Sequence, residues 1–179
     1  MKIKSLSFCL LLIGMLISCS STQSLQEYYI DNSENPNFLK IDVPTSVLNL
    51  EKADLTEVQR EAMGSLKKFN ILAFKKNDSN TVDFEAEKAK VKAILSANTF
   101  TQLMKMNTSY GKATIKYIGT EDAIDEVIIY GDSNDKGFAL IRVLGDNMNP
   151  AHMMQLLKAI EKSDYDGEGL KDLGKLFRE

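Results

Sequence analysis

Few residue patterns in this 179-residue chain have the spacing for catalysis or ligation. His152 is the only histidine, and a hydrolytic triad would need a hydroxyl and a carboxylate converging on it. It lies in "NPAHMMQLLKAI", on the first turn of an amphipathic helix, where a packed or solvated helix residue is the simpler reading. Two acidic loops, "DSNDKG" from Asp132 and "DYDGEG" from Asp164, start like calcium loops. The first has Lys136 where a ligand belongs, and the second has Lys175 where a bidentate glutamate should close the site. They are read as a hairpin turn and a polar linker, so no metal and no cofactor is expected. Arg142 is the one charge on a strand face otherwise made of Phe138, Leu140 and Leu144. An ion pair with Glu126 or Asp125 on the neighbouring strand is its main reading, and an anionic ligand the alternative. Of the eight methionines, Met104, Met106, Met148, Met153 and Met154 fall as neighbours in the second half of the chain. Thioethers fill cores and also suit adaptable apolar surfaces. With Arg142 these five residues are the candidate ligand or partner surface.

The thiols lead to an address rather than to a reaction. Lys2 and Lys4 precede an apolar run from Leu6 to Ile17, which ends in Ser18-Cys19-Ser20-Ser21-Thr22. The run is the h-region of a signal peptide and is too short for a membrane-spanning helix, which needs about 20 apolar residues. Leu16-Ile17-Ser18-Cys19 resembles the lipobox of bacterial lipoproteins, with an aliphatic residue three before the cysteine and a small one directly before it. That resemblance implies cleavage between Ser18 and Cys19, a diacylglyceryl group on the Cys19 sulfur and an acyl chain such as palmitate on the new amine. Two or three chains anchor stably where one gives only marginal binding. With Cys9 removed and Cys19 lipidated, no thiol is left for a disulfide, a zinc site or a nucleophile.

Cleavage leaves 20 basic against 25 acidic side chains, a net charge of −5, which argues against nucleic acid as a partner. Four segments follow from the patterning: a signal peptide over 1–18, the lipidated cysteine and a tether over 19–37, a globular domain over 38–162, and an amphipathic tail over 163–179. The stretch "SSTQSLQEYYIDNSENPN" lacks an apolar period and suits a flexible coil with a reach of roughly 20–25 Å. The pair Tyr28-Tyr29 has a second reading, in which it docks back on the domain. The tail carries Leu170, Leu173, Leu176 and Phe177 at helical spacing, for docking in cis, on a partner groove or at the membrane.

Within the domain, "FLKIDVP" predicts a strand, with Thr45 capping a helical turn through Val47, Leu48 and Leu50. Leu55 to Leu66 predicts a helix and "KKFNILAFKK" a strand apolar on both faces. Val82 to Ser96 predicts a helix on a stripe of Val82, Ala86, Ala89 and Ala93 joined by Val91, Ile94 and Leu95, with Phe100, Leu103, Met104 and Met106 adding another turn or two. Strands follow over Lys112–Ile118, Asp125–Tyr130 and Gly137–Leu144, and a helix over Met148–Ile160. The order β-α-β-α-β-β-β-α predicts an α+β fold, a mainly antiparallel sheet with a closing three-strand meander and helices packed on it. Both faces of the last strand are apolar, so both should be covered.

The segment from Thr99 to Ile160 is similar to the domain-of-unknown-function 4252 family of small lipoproteins in Bacteroidetes. The matching elements are Leu103-Met104, Gly111 before a strand, "IDEVIIY", and a strand ending in Leu144-Gly145. The resemblance extends loosely back to Phe38 and brings no reaction with it. Surface-displayed lipoproteins of that phylum tend to have acidic residues soon after the cysteine. Here the first charge is Glu27, which implies the periplasmic face of the outer membrane. The sequence therefore points to a lipid-anchored envelope protein with a membrane contact through its anchor and a protein partner. A binder of an apolar ligand or lipid is the alternative, and an enzyme ranks third.

Overall fold

The computed structural model describes residues 23–45, 55–108, 111–153 and 155. The first element, α1 (Leu25–Asp31), starts at a capping box in which the Ser24 hydroxyl accepts from the Glu27 N–H and the Glu27 carboxylate accepts from the Ser24 N–H. This box satisfies two donors that a helix start otherwise leaves bare. Strand β1 (Phe38–Pro44) follows, then α2 (Glu57–Ser65) behind a Thr56–Gln59 capping box, β2 (Leu66–Lys75), α3 (Thr81–Leu95), β3 (Thr101–Thr108), β4 (Gly111–Gly119), β5 (Ile124–Ser133) and β6 (Gly137–Met148). The six strands form one antiparallel sheet in the order β1-β2-β6-β5-β4-β3. The fold is thus α+β, as the element pattern predicts, with β2 inserted beside β6 at the end of a meander.

Three expectations change. Leu103, Met104 and Met106, assigned by spacing with Phe100 to extra helical turns, lie in β3 (Thr101–Thr108), which adds a fourth strand to the predicted meander. Seven pairs with β4, from Thr101 opposite Tyr117 to Thr108 opposite Gly111, outweigh the apparent 100/103/104 period. The stretch 25–31, placed in the tether, is helical, and Tyr28 and Tyr29 are buried, so the docked reading of that pair is the observed one. In α3 the buried stripe is Phe84, Lys88, Val91, Ile94 and Leu95, whereas Val82 is 83% exposed. Phe84 in place of the alanines sets the helix rotation, because a ring buries far more apolar area than a methyl group. The turn through Val47 to Leu50, the helix beyond 155 and the tail from 163 lie outside the described residues.

One sheet face is covered by α1 and α3. Register brings Phe38, Phe74 and Phe138 side by side across β1, β2 and β6. Phe84 of α3 closes on them, with ring centroids 5.1–6.2 Å apart. On the other face Ala62 of α2 packs with Leu66, Ile115, Tyr117, Val127, Val143, Met148 and Met153 in a second buried cluster. The two-sided apolarity of β6 is met by core on both sides. Residues 150–153 are helical, with Asn149 Oδ1 accepting from the Ala151 and His152 N–H groups. Among the described residues no helix is long and apolar enough to cross a membrane.

Candidate functional site

The rings stop short of β3 and β4. There the same sheet face carries Lys112, Thr114 and Lys116 on β4, opposite Asn107, Lys105 and Gln102 on β3. Facing them is the C-terminal half of α3, ending at Leu95. Lys116 Nζ donates to the Leu95 carbonyl at 2.6 Å, holding the helix end over β4 and giving its orphan carbonyl a cationic partner. Gly111 starts β4 at φ 141°, and a Cβ there would collide with the Asp132 carbonyl oxygen, so only glycine lets β4 approach β5 this closely. The result is a cleft of about 550 Å³ between α3 and strands β3 to β5. That is the size of an ordinary small-molecule site.

Four lysines, Lys92, Lys105, Lys112 and Lys116, line the cleft. The one carboxylate in the lining, Asp132, is held at 2.7 Å by Lys88 Nζ, and Lys92 Nζ stands 4.0 Å from the same oxygen. Lys105 and Lys112 are exposed and make no ion pair or hydrogen bond with the described residues. The cleft is therefore strongly cationic on an otherwise acidic chain, and such clefts concentrate anions. Tyr130 also lines it, and its buried hydroxyl has no hydrogen-bond partner among the described residues. Burial, reinforced by the charges of Asp132 and Glu85, pushes this phenol well above its ordinary pKa. It remains a neutral donor, and an unpartnered donor in a buried place is costly.

The sequence-derived candidates do not assemble into one surface. Arg142 is buried and forks onto Glu126, Nε to Oε1 at 2.5 Å and a terminal N–H to Oε2 at 2.8 Å, with its guanidinium 5.3 Å from the Tyr29 ring centroid. Burial opposes its charge, yet the hydrogen bonds and the charge of Glu126 outweigh that and raise its pKa. The ion-pair reading of Arg142 is the one observed, with Glu126 rather than Asp125 as partner. Met148 and Met153 are buried in the second core cluster, and Met104 packs partly against it. Met106 is 44% exposed on β3, while the Met154 side chain and Ser18-Cys19 lie outside the described residues. His152 stands 3.5 Å from Glu61 Oε2 at the surface. Asp132 belongs to the end of the β5 ladder and to its lysine pair, and among the described residues no three His, Cys, Asp or Glu side chains converge.

The lysine cleft was not among the sequence candidates. Its signal was the alternation Lys112-Ala113-Thr114-Ile115-Lys116, which places charge on the face that β5 and β6 line with Ile128, Tyr130 and Leu140. Assigning Lys105 to a helix hid the other half.

No curated protein matches the chain, and no solved structure does. The family model described as "Domain of unknown function (DUF4252)" matches residues 28–156, a span that starts inside α1 and ends past β6, so it takes in the cleft, the aromatic core and the second half of the docked helix. The chain belongs to the DUF4252 family.

Proposed function

We propose that this chain is a Bacteroidetes envelope lipoprotein, anchored through a lipidated Cys19 on the periplasmic face of the outer membrane, and that it acts as a non-enzymatic protein-interaction module. The observation that carries the interaction reading is β3. Among the described residues it is an outermost strand of the sheet, and Leu103 and Met106 on it are 40% and 44% exposed. An open edge offers unpaired backbone groups to an added strand, with exposed side chains supplying selectivity. The opposite edge, β1, is blunted by Pro44 and by the Lys40–Asp42 ion pair at 3.4 Å. The anchor reading rests on the lipobox and the signal pattern before it. Because α1 begins at Leu25, six residues, 19–24, separate the anchor from the first helix and can span at most about 20 Å, so an anchored domain is held close to its bilayer.

A photo-crosslinking residue at Leu103 in living cells should give a discrete adduct with an envelope protein. Binding of that protein to the purified chain should fall at least about tenfold in the Leu103→Lys/Met106→Lys double variant. No protein adduct despite full incorporation, or unchanged binding in the variant, overturns the edge reading. Cys19→Ala should release the protein from membranes or leave an uncut precursor. Normal processing with continued sedimentation overturns the anchor.

A further inference from the structure

We infer that the cleft between α3 and strands β3 to β5 is a binding site for a small anion that joins a phosphate-like head to an apolar body. Three observations meet there: the space, about 550 Å³; the charge, from Lys92, Lys105, Lys112 and Lys116; and Tyr130 in the lining, whose hydroxyl is a buried donor with no partner among the described residues. Asp132 does not cancel the charge, since Lys88 neutralises it at 2.7 Å. Lysine ammoniums are compact point charges with freely turning donors, and several of them suit a multiply charged tetrahedral head better than a single carboxylate. The exposed Lys105 and Lys112 are the side chains free to turn onto that head. Lys116, already on the Leu95 carbonyl, fixes the wall. Met106, 44% exposed, and Ala113 supply apolar surface, with Leu95 and Tyr130 behind them, that a bare inorganic ion leaves unused. This site does not depend on the β3 edge having a protein partner.

The head group has two sources, a membrane phospholipid or a soluble phosphorylated compound, and one titration separates them. The full chain is titrated calorimetrically with hexyl phosphate, and with inorganic phosphate for comparison, at about 0.1 M salt. Hexyl phosphate should bind at least about tenfold more tightly than inorganic phosphate. Its affinity should fall at least about tenfold in Lys105→Gln/Lys112→Gln and about three- to tenfold in Tyr130→Phe. A control with the same charge change outside the cleft, Lys67→Gln/Lys75→Gln, should lose less than about twofold. Repeating the titration beside phosphatidylglycerol nanodiscs should weaken the apparent affinity, relative to phosphatidylcholine discs, if the natural head is a lipid's. Equal affinity in both settings assigns a soluble ligand, and either outcome supports the site. No heat with hexyl phosphate, affinity no better than that of inorganic phosphate, or an equal loss in the control overturns it.

Discussion

One face of the sheet is built in two ways. Toward β1, β2 and β6 it is closed by rings, with Phe38, Phe74 and Phe138 in register beneath Phe84, and with Tyr28 of α1 donating to Glu87 Oε2 of α3 at 2.8 Å. Toward β3 and β4 the same face is lysine, threonine and amide, and α3 stands over it without filling the space. Buried apolar area is what drives a helix onto a sheet, so α3 settles on the ringed half and overhangs the other. A cleft at the edge of a rigid ring cluster is held in shape by that cluster, as a binding site must be. The two halves differ in what a substitution should do. In the first it should move stability, in the second ligand affinity.

The largest contrast is Phe138→Ala against Lys112→Gln. Phe138 is 1% exposed and its ring lies within 6.2 Å, centroid to centroid, of Phe38, Phe74, Phe84 and Tyr130. Truncation should cost about 3–5 kcal/mol in urea unfolding, through lost transfer energy and a residual cavity. Lys112, exposed and without a protein partner among the described residues, should move stability by about 0.5 kcal/mol or less. Comparable losses at the two positions would mean that the cleft half also carries the fold.

The buried pair comes next. Removing one member leaves the other uncompensated, so Glu126→Ala should cost about 3 kcal/mol, at the lower end for such pairs because Arg142 keeps its contact with the Tyr29 ring. The double variant Glu126→Leu/Arg142→Met should recover most of that loss, since two apolar side chains of similar volume need no partner. A double variant as unstable as the single one would show that the pair's hydrogen bonds, rather than removal of a lone charge, set the energy.

Legibility in the sequence followed the same division. Strands that are apolar on both faces, such as Leu66–Lys75 and Gly137–Met148, announced themselves by composition, and their pairing gave the α+β architecture. The segment Thr101–Thr108 did not, because its apolar residues fit a helical spacing as well as a strand and only β4 decides between them. In α3 the inward stripe includes Lys88, a charge buried beside Asp132 and Asn134, which breaks the apolar period and made the alanine stripe look like the inner one. The site was hidden for a related reason. Its lysines sit on three separate elements, α3, β3 and β4, and come together only through the register of the sheet. Arg142 was legible because its partner lies on the adjacent strand, within the reach of a two-strand argument.

The smallest expected effect is the most discriminating, because one chemical change is made in both halves. Tyr29 and Tyr130 are each 4% exposed. In the ringed half the Tyr29 hydroxyl donates toward two carbonyls, Leu140 O at 2.5 Å and Asn70 O at 3.1 Å, tying α1 to the sheet. In the cleft half the Tyr130 hydroxyl has no partner among the described residues. Replacing a satisfied buried hydroxyl removes a hydrogen bond worth about 1 kcal/mol net, and Tyr29→Phe should lower the unfolding free energy by that order. Replacing an unsatisfied one removes a group that lost its water on burial and gained nothing, so Tyr130→Phe should be neutral or stabilise by up to about 1 kcal/mol. Thermal melts of the two variants beside the parent measure the difference directly. If Tyr130→Phe destabilises as much as Tyr29→Phe, the Tyr130 hydroxyl has a partner within the folded protein and the two halves are alike. If it leaves the melt unchanged or raises it while weakening hexyl phosphate binding, that hydroxyl is a donor kept free at a cost in stability, and its use lies in what enters the cleft.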